Sequence, residues 1–312
     1  NSMKQEGEIF LREQVQHIRA AVIGDVMADR YIFGSVNRIS PEAPVPVNLV
    51  QFEKSVLGGA ANTAANLAAL GCRVYAAGMR GEDENGKILH GLFRQIGIDD
   101  SGILVRKEYS TITKMRILGA RQQMMRLDFE RKEPLDEKGL QSVLQWLENR
   151  HDEGLDCIIL SDYGKGFITP QLAQEVIRRG HRWKLPVLVD PKGSDWHKYT
   201  GAYGITPNLK ELSDCCGRAI CNEDEDIERE GVLIREKYHL KYLFVTRSEK
   251  GITSIGSKEI IHCPAMARDV FDVSGAGDTV MAVLAAALAA GRDSETALKL
   301  ANTAAGIAVS RV

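Results

Sequence analysis

The stretch Asp272-Val273-Ser274-Gly275-Ala276-Gly277-Asp278 runs without a break into Thr279-Val280-Met281-Ala282-Val283-Leu284-Ala285-Ala286-Ala287-Leu288. The second part is apolar at nearly every position, so it reads as a helix over 276–290 that is buried on all sides. The small residues that open it leave several backbone N–H groups bare at the positive end of the helix, which makes an anion site in a protected place. Asp278 would stand beside a phosphate bound there, where a carboxylate can accept the proton of an attacking hydroxyl. A plain glycine turn with Asp278 in the first helical turn is the structural alternative.

Outward from this helix, the chain alternates. A second helix is expected over 294–309. Upstream come a helix to Asn149, a strand at Cys157 to Leu160, a helix from Pro170 to His181, strands at Val187 to Val189 and Tyr203 to Thr206, a helix from Asn208, and a strand at Leu243 to Thr246. Repeats of this length predict a mostly parallel, three-layer α/β unit. Gly251 to Ile255 and Glu259 to Cys263 are expected to pair through Gly256-Ser257. Near the start, Ala20 to Gly24 reads as a buried strand that delivers Asp25 to its carboxyl end, where open α/β sheets bind ligands. Ala60 to Leu70 reads as a helix stopped by Gly71. Two stretches break the pattern: 30–55, aromatic and β-branched with Pro41, Pro44 and Pro46, and 108–131, with alternating residues from Thr111 to Glu130. Together they predict a small separate β-sheet outside the main one.

Composition narrows the partners. The chain has 312 residues, 44% hydrophobic and 26% charged, with a formal net charge of −2. Acidic and basic residues are interleaved, so no cationic face for nucleic acid is expected. No apolar run reaches the roughly 20 residues that cross a bilayer, and Met3 to Gln16 is too polar for a signal peptide. Asn1 and Ser2 precede the first methionine and support no fold argument. The six scattered cysteines read as reduced thiols, and the chain as cytoplasmic.

Two phosphate motifs fail. Gly275-x-Gly277 has Val280 where a dinucleotide fingerprint needs glycine. Gly81 to Lys87 fits the frame of a P-loop, but Ile88 replaces the magnesium-binding hydroxyl, and Glu82, Asp83 and Glu84 would repel a triphosphate.

What remains resembles the ribokinase or PfkB family of carbohydrate kinases. Its D-T-x-G-A-G-D signature is matched here from Asp272 to Asp278 with Val273 for threonine; its di-glycine element by Gly58-Gly59-Ala60-Ala61-Asn62; and its N-x-x-E element by Asn208-Leu209-Lys210-Glu211. The resemblance implies a ribokinase-like three-layer α/β/α sandwich over 3–312, with the two excursions forming a β-sheet lid. It also implies ATP and magnesium as cofactors and a homodimer made through the lid.

Within the family the chain is similar to the heptose-phosphate kinases, either standalone or as the first domain of a bifunctional heptose kinase and adenylyltransferase. The likeness rests on Arg38 to Val47, Thr111 to Lys114, Arg126 to Glu130, Ser161-Asp162-Tyr163, Asp190 to Gly193 and Thr246 to Glu249. It implies phosphorylation of D-glycero-β-D-manno-heptose 7-phosphate at O1, toward ADP-heptose and the lipopolysaccharide inner core. No H-x-G-H motif occurs in these residues, so adenylyl transfer is not expected of them.

Carried over residue by residue, Asp278 is the catalytic base and Gly275, Ala276 and Gly277 form the anion hole. Asp25, Gly58, Gly59 and Asn62 bind the sugar. Asn208 to Glu211 lie near phosphate and hydrated magnesium, with Glu211 as the acid that acts through water, and Asp272 is a candidate for a monovalent cation such as potassium. Adenine is expected against Thr246 to Gly251 and the last helix at Asn302, beside Ala301, Ala304 and Ala305. A sugar that already carries a phosphate needs cations at its far end, and Lys114, Arg116, Arg121, Arg126, Lys165 and Lys192 lie in matching segments. Of these, Lys114, Arg126, Lys165 and Lys192 are the named candidates. Another sugar or nucleoside kinase, or a non-catalytic sugar-binding regulator of the same fold, remain as alternative readings.

Overall fold

The computed structural model describes residues 2–265 and 276–310. In chain order the elements are α1 (Ser2–Ile9), β1 (Arg19–Gly24), β2 (Val26–Ile39), β3 (Pro46–Gly59), α2 (Ala60–Leu70), β4 (Arg73–Gly81), α3 (Glu84–Gln95), β5 (Asp99–Arg106), β6 (Thr113–Gly119), β7 (Gln122–Phe129) and α4 (Glu137–Glu153). They continue with β8 (Cys157–Ser161), α5 (Pro170–Trp183), β9 (Val187–Asp190), β10 (Gly204–Ile205), α6 (Leu209–Cys216), α7 (Asp224–Lys237), β11 (Tyr242–Thr246), β12 (Ile252–Ile255), β13 (Ile260–Cys263), α8 (Ala276–Ala289) and α9 (Ser294–Ser310).

β1 is the pivot of the main sheet. Its alternate residues face two different cores: Ala20 and Val22 join one, Ala21 and Ile23 the other. A strand buried on both faces needs helices on both sides, and they are present. α2, α8 and α9 pack on the first face, α4, α5 and α7 on the second. The strand order is β13-β12-β11-β10-β9-β8-β1-β4-β5. β1 pairs in parallel with β4 on one side and β8 on the other. The order therefore reverses beside β1, which opens a crevice at the carboxyl ends of β1 and β8. Among the described strands of this sheet only β12 runs against the others: it pairs antiparallel with β11 and with β13, the latter joined in the register Ile255↔Ile260.

The two excursions form a second, four-stranded sheet in the order β3-β2-β6-β7. β2 and β6 pair in parallel over Ala28↔Thr113 to Gly34↔Gly119, so the two hairpins lie side by side. Ala120 and Arg121 close the β6–β7 hairpin with φ of 51° and 68°. Non-glycine residues in the left-handed region fit a tight hairpin turn of matching twist. Exposed large apolar side chains concentrate on this sheet, among them Leu49 (68% exposed), Phe52 and Met125.

The structure gives two short segments a role that the sequence did not. Ser2 opens α1, which packs against the last helix through Gly7, close to Thr303 and Ile307. The Gly81 to Lys87 stretch is the end of β4 and the first turn of α3. Asp83 caps that helix by accepting from Gly86 N at 2.8 Å, and it also accepts from Thr111 N at 2.9 Å and Thr111 Oγ1 at 2.6 Å. Burial opposes its ionisation, but these hydrogen bonds outweigh burial and hold the carboxyl below its ordinary value. The acid that disqualifies a P-loop thus anchors the chain where it enters the small sheet.

Candidate functional site

Gly59 links the small sheet to the main one. Its φ is 58°, and a Cβ there would overlap the Asp25 carbonyl; only glycine suits both conditions. The preceding Gly58 leaves room for the Asp29 carboxylate. Ala60 N then donates to Asp25 O at 2.9 Å and starts α2 at the end of β1. This places Asn62 one turn into α2, where its Nδ2 donates to Asp278 Oδ2 at 3.4 Å. The residues expected to hold the sugar and the expected base, 216 positions apart in sequence, therefore meet.

Asp278 lies in the first turn of α8. Burial raises its pKa, and the Asn62 hydrogen bond only partly offsets this. A carboxylate shifted toward neutrality is a better proton acceptor. Ala276 and Gly277 open the same helix, so their N–H groups are among those that no intrahelical carbonyl can satisfy. Gly275 and Asp272 lie outside the described residues.

Beside Asp278 is a cleft of about 430 Å³, walled by α2, α8 and the ends of β8, β9 and β11. Among the described residues three carboxylates face it: Asp190, Glu211 and Asp278. Burial pushes the Asp190 carboxyl up to about 7, reinforced by the charges of Glu211, Asp278 and Asp162. Sequence reasoning quoted Asp190 within the Asp190 to Gly193 match but gave it no role in the site. Its only signal was its place at the end of a buried strand, a position it shares with Asp25. Glu211 is also raised, chiefly by burial. Among the described residues no three His, Cys, Asp or Glu side chains are close enough to hold a metal directly. Mutually repelling carboxylates around a polar cleft suit a divalent cation that keeps its water.

The strain on Asp190 gives a pH prediction. An acid whose folded pKa is raised from 3.8 to about 7 costs stability progressively as pH climbs between those values. Asp190→Asn should therefore melt with wild type near pH 4. At pH 8, without nucleotide or metal, it should melt higher by about 2–6 °C. Thermal scans across that range check this, and coincident curves at pH 8 would show that the carboxyl is not strained.

Asn208 and Glu211 form a reciprocal cap on α6. Asn208 Oδ1 accepts from Glu211 N at 2.7 Å, and Glu211 Oε1 accepts from Asn208 N at 2.9 Å. The N-x-x-E spacing is thus also a capping box, a signal legible in the sequence. The cap holds both side chains on the cleft wall, while Leu209 and Lys210 begin the helix and do not line the cleft. Thr246 and Ser248 line the same wall. Gly251 lies behind it with φ of 85°. Asn302 is also off the lining: it is 7% exposed and its Nδ2 donates to Pro264 O at 2.6 Å.

Asp25 is placed at the crevice but is already engaged. At 3% exposure, its Oδ2 accepts from Tyr163 N at 2.8 Å and Lys165 N at 3.3 Å, and its Oδ1 from Phe167 N at 3.3 Å. Burial raises its pKa and the nearby Asp162 adds to the effect, against the pull of those three amides.

The candidate cations separate into groups. Lys114 stands between Asp29 and Asp128 in one row across the small sheet. Arg126 is held by Asp128 through two 2.8 Å hydrogen bonds. Lys165, on the loop that Asp25 holds, pairs with Glu130 at 2.5 Å. Lys192 is exposed near Gly164, and its charge is felt by Glu211, so it lies toward the Glu211 end of the cleft.

Residues 18–312 match the family described as pfkB family carbohydrate kinase. The bifunctional protein HldE of Geobacter sulfurreducens is 46% identical over 296 residues, covering 95% of this chain and 60% of that protein. That of Trichlorobacter lovleyi is 43% identical over 303 residues, covering 97% and 61%. The chain thus spans about three fifths of the length of these curated relatives. Among solved structures, Arabidopsis thaliana ribokinase complexed with ribose and ATP is similar in fold, with a TM-score of 0.67 at 21% identity over 90% of this chain and 88% of that one.

Proposed function

Because the chain belongs to the pfkB family of carbohydrate kinases, we propose that it transfers the γ-phosphoryl group of ATP to O1 of D-glycero-β-D-manno-heptose 7-phosphate. The product is the 1,7-bisphosphate, on the way to ADP-heptose. The observation that carries the kinase part is the meeting of Asn62 and Asp278 at the first turn of a buried helix. The choice of a phosphorylated acceptor rests on the cations Lys114, Arg126 and Lys165, gathered beside the crevice on the small sheet and the loop facing it.

In this reading Asp278 takes the proton of the anomeric hydroxyl as O1 attacks, while Asn62 holds the carboxylate in place. The N–H groups of Ala276 and Gly277 at the start of α8 face the charge that grows on the transferred group. Asp190 and Glu211 would hold a hydrated magnesium ion through water, which supplies charge neutralisation at the phosphates. Lys192, close to Glu211, adds a cation at the same end. The small sheet acts as a lid over the sugar and keeps water from the reacting phosphate. Its apolar side chains, exposed in the single chain, also suit a homodimer made through this sheet. Among the described residues no helix is long and apolar enough to cross a membrane, and both substrates are phosphorylated and polar, so the proposed location is the cytoplasm.

The direct test is ADP release from Mg-ATP with fructose, ribose, sedoheptulose 7-phosphate and D-glycero-D-manno-heptose 7-phosphate. Turnover confined to the manno-heptose phosphate is expected. Turnover with an unphosphorylated sugar would keep the kinase and overturn the acceptor.

A further inference from the structure

Thr246 and Ser248 form one wall of the cleft, yet the residue between them points away from it. Arg247 is 2% exposed. Its guanidinium donates from Nε to Asn222 Oδ1 at 2.9 Å, and from Nη1 to Asp224 Oδ1 at 2.7 Å and Thr253 Oγ1 at 3.0 Å. Asn222 returns a hydrogen bond from Nδ2 to Arg247 O at 3.2 Å. The side chain and the backbone of Arg247 are thus clasped by the same residue.

The loop that follows needs such a clasp. Ser248 has φ of 52° and Gly251 of 85°, and Arg247 N donates to Gly251 O at 2.8 Å across the turn. A non-glycine residue in the left-handed region persists only where its surroundings impose it. Arg247 supplies that constraint from behind by joining the loop to the segment that starts α7 and to β12. Thr253 continues the network to His262 on β13 at 2.8 Å, and His262 Nε2 meets Glu228 Oε1 at 2.6 Å. A buried guanidinium is costly unless its donors are matched. Here the matches tie the side chain to Asn222, Asp224 and Thr253, and Asn222 in turn holds the Arg247 carbonyl between Thr246 and Ser248.

We propose that Arg247 is a positioning residue for the nucleotide: it holds the Thr246–Ser248 wall against which ATP binds, without touching ATP itself. This rests on the reading of the cleft as the nucleotide site. Lysine, with one nitrogen in place of a planar fork, could not make the same set of contacts.

The test uses the 312-residue chain as wild type, Arg247→Met and Asn222→Ala, with ADP titrated by calorimetry and KM measured for Mg-ATP and for the sugar acceptor. The expected result is a rise of about ten-fold or more in ADP Kd and ATP KM for Arg247→Met, and a smaller rise for Asn222→Ala. The acceptor KM should stay within about two-fold. If Arg247→Met does not fold, Asn222→Ala decides alone. ADP affinity unchanged in the folded variants, or an acceptor KM that rises as much as that for ATP, would overturn the role of Arg247. A wild type that turns over but binds no ADP at all would instead overturn the nucleotide reading of the cleft.

Discussion

Asp278→Asn is expected to lower turnover by about three orders of magnitude, in the range that removal of a general base produces, while ADP affinity stays near that of wild type. The amide is isosteric with the carboxylate and keeps a hydrogen-bonding partner for Asn62, so α2 and α8 should stay in register. The fold should not suffer, because burial already disfavours the charge that the substitution removes. Removing a negative charge beside the phosphates should, if anything, favour nucleotide binding. Initial rates and ADP titration on the same preparation separate the two effects. A variant that retains most of its activity would remove Asp278 from the chemistry and leave it as a residue of the first helical turn.

The second large effect is expected at Asp25. Alanine there would leave the N–H groups of Tyr163, Lys165 and Phe167 without their acceptor in a buried place. Orphaned buried donors cost about 1–3 kcal/mol each where water cannot reach them. A net loss of about 3–5 kcal/mol is a reasonable expectation after relaxation. Asp25→Asn should be milder, since one oxygen still accepts, although its NH2 would then face a backbone donor. Urea denaturation gives the stability, and the acceptor KM gives the binding role. If Asp25→Asn leaves stability untouched but raises the acceptor KM, the residue serves the sugar alone. Loss of stability in both variants shows that it also builds the loop that carries Lys165.

Much of this molecule is legible in its sequence. The apolar run after Gly277 is helical and buried, as its composition required, because a helix without a polar face has nowhere else to go. The helix and strand alternation announced a parallel sheet, and the two excursions that break it, one punctuated by prolines and one alternating, announced a second one. Local caps carried a signal that the reading passed over: Asp83, Asp136 and Thr169 each precede a helix and accept from its third residue. Asn208 and Glu211 carried two messages in one spacing, and the capping box is the one that the hydrogen bonds display.

Other features had no local signal. The Ala120-Arg121 turn lacks the usual Asn-Gly, so only the pairing of β6 with β7 reveals it. Asn302 and Gly251 look available in the sequence, but one is tied to Pro264 and the other is backed by the Cys263 carbonyl.

The sequence by itself determined the identity of the elements, the acid in the first turn of α8 and the order of strands and helices, because periodicity and glycines act within a few residues. Only the tertiary structure decided which acids are strained and which are occupied. Asp25 accepts from residues 138 to 142 positions away, and Asp190 is raised by burial and then by carboxylates brought from three separate segments. Burial and charge depend on distance in space, and those distances exist only after the sheet has assembled.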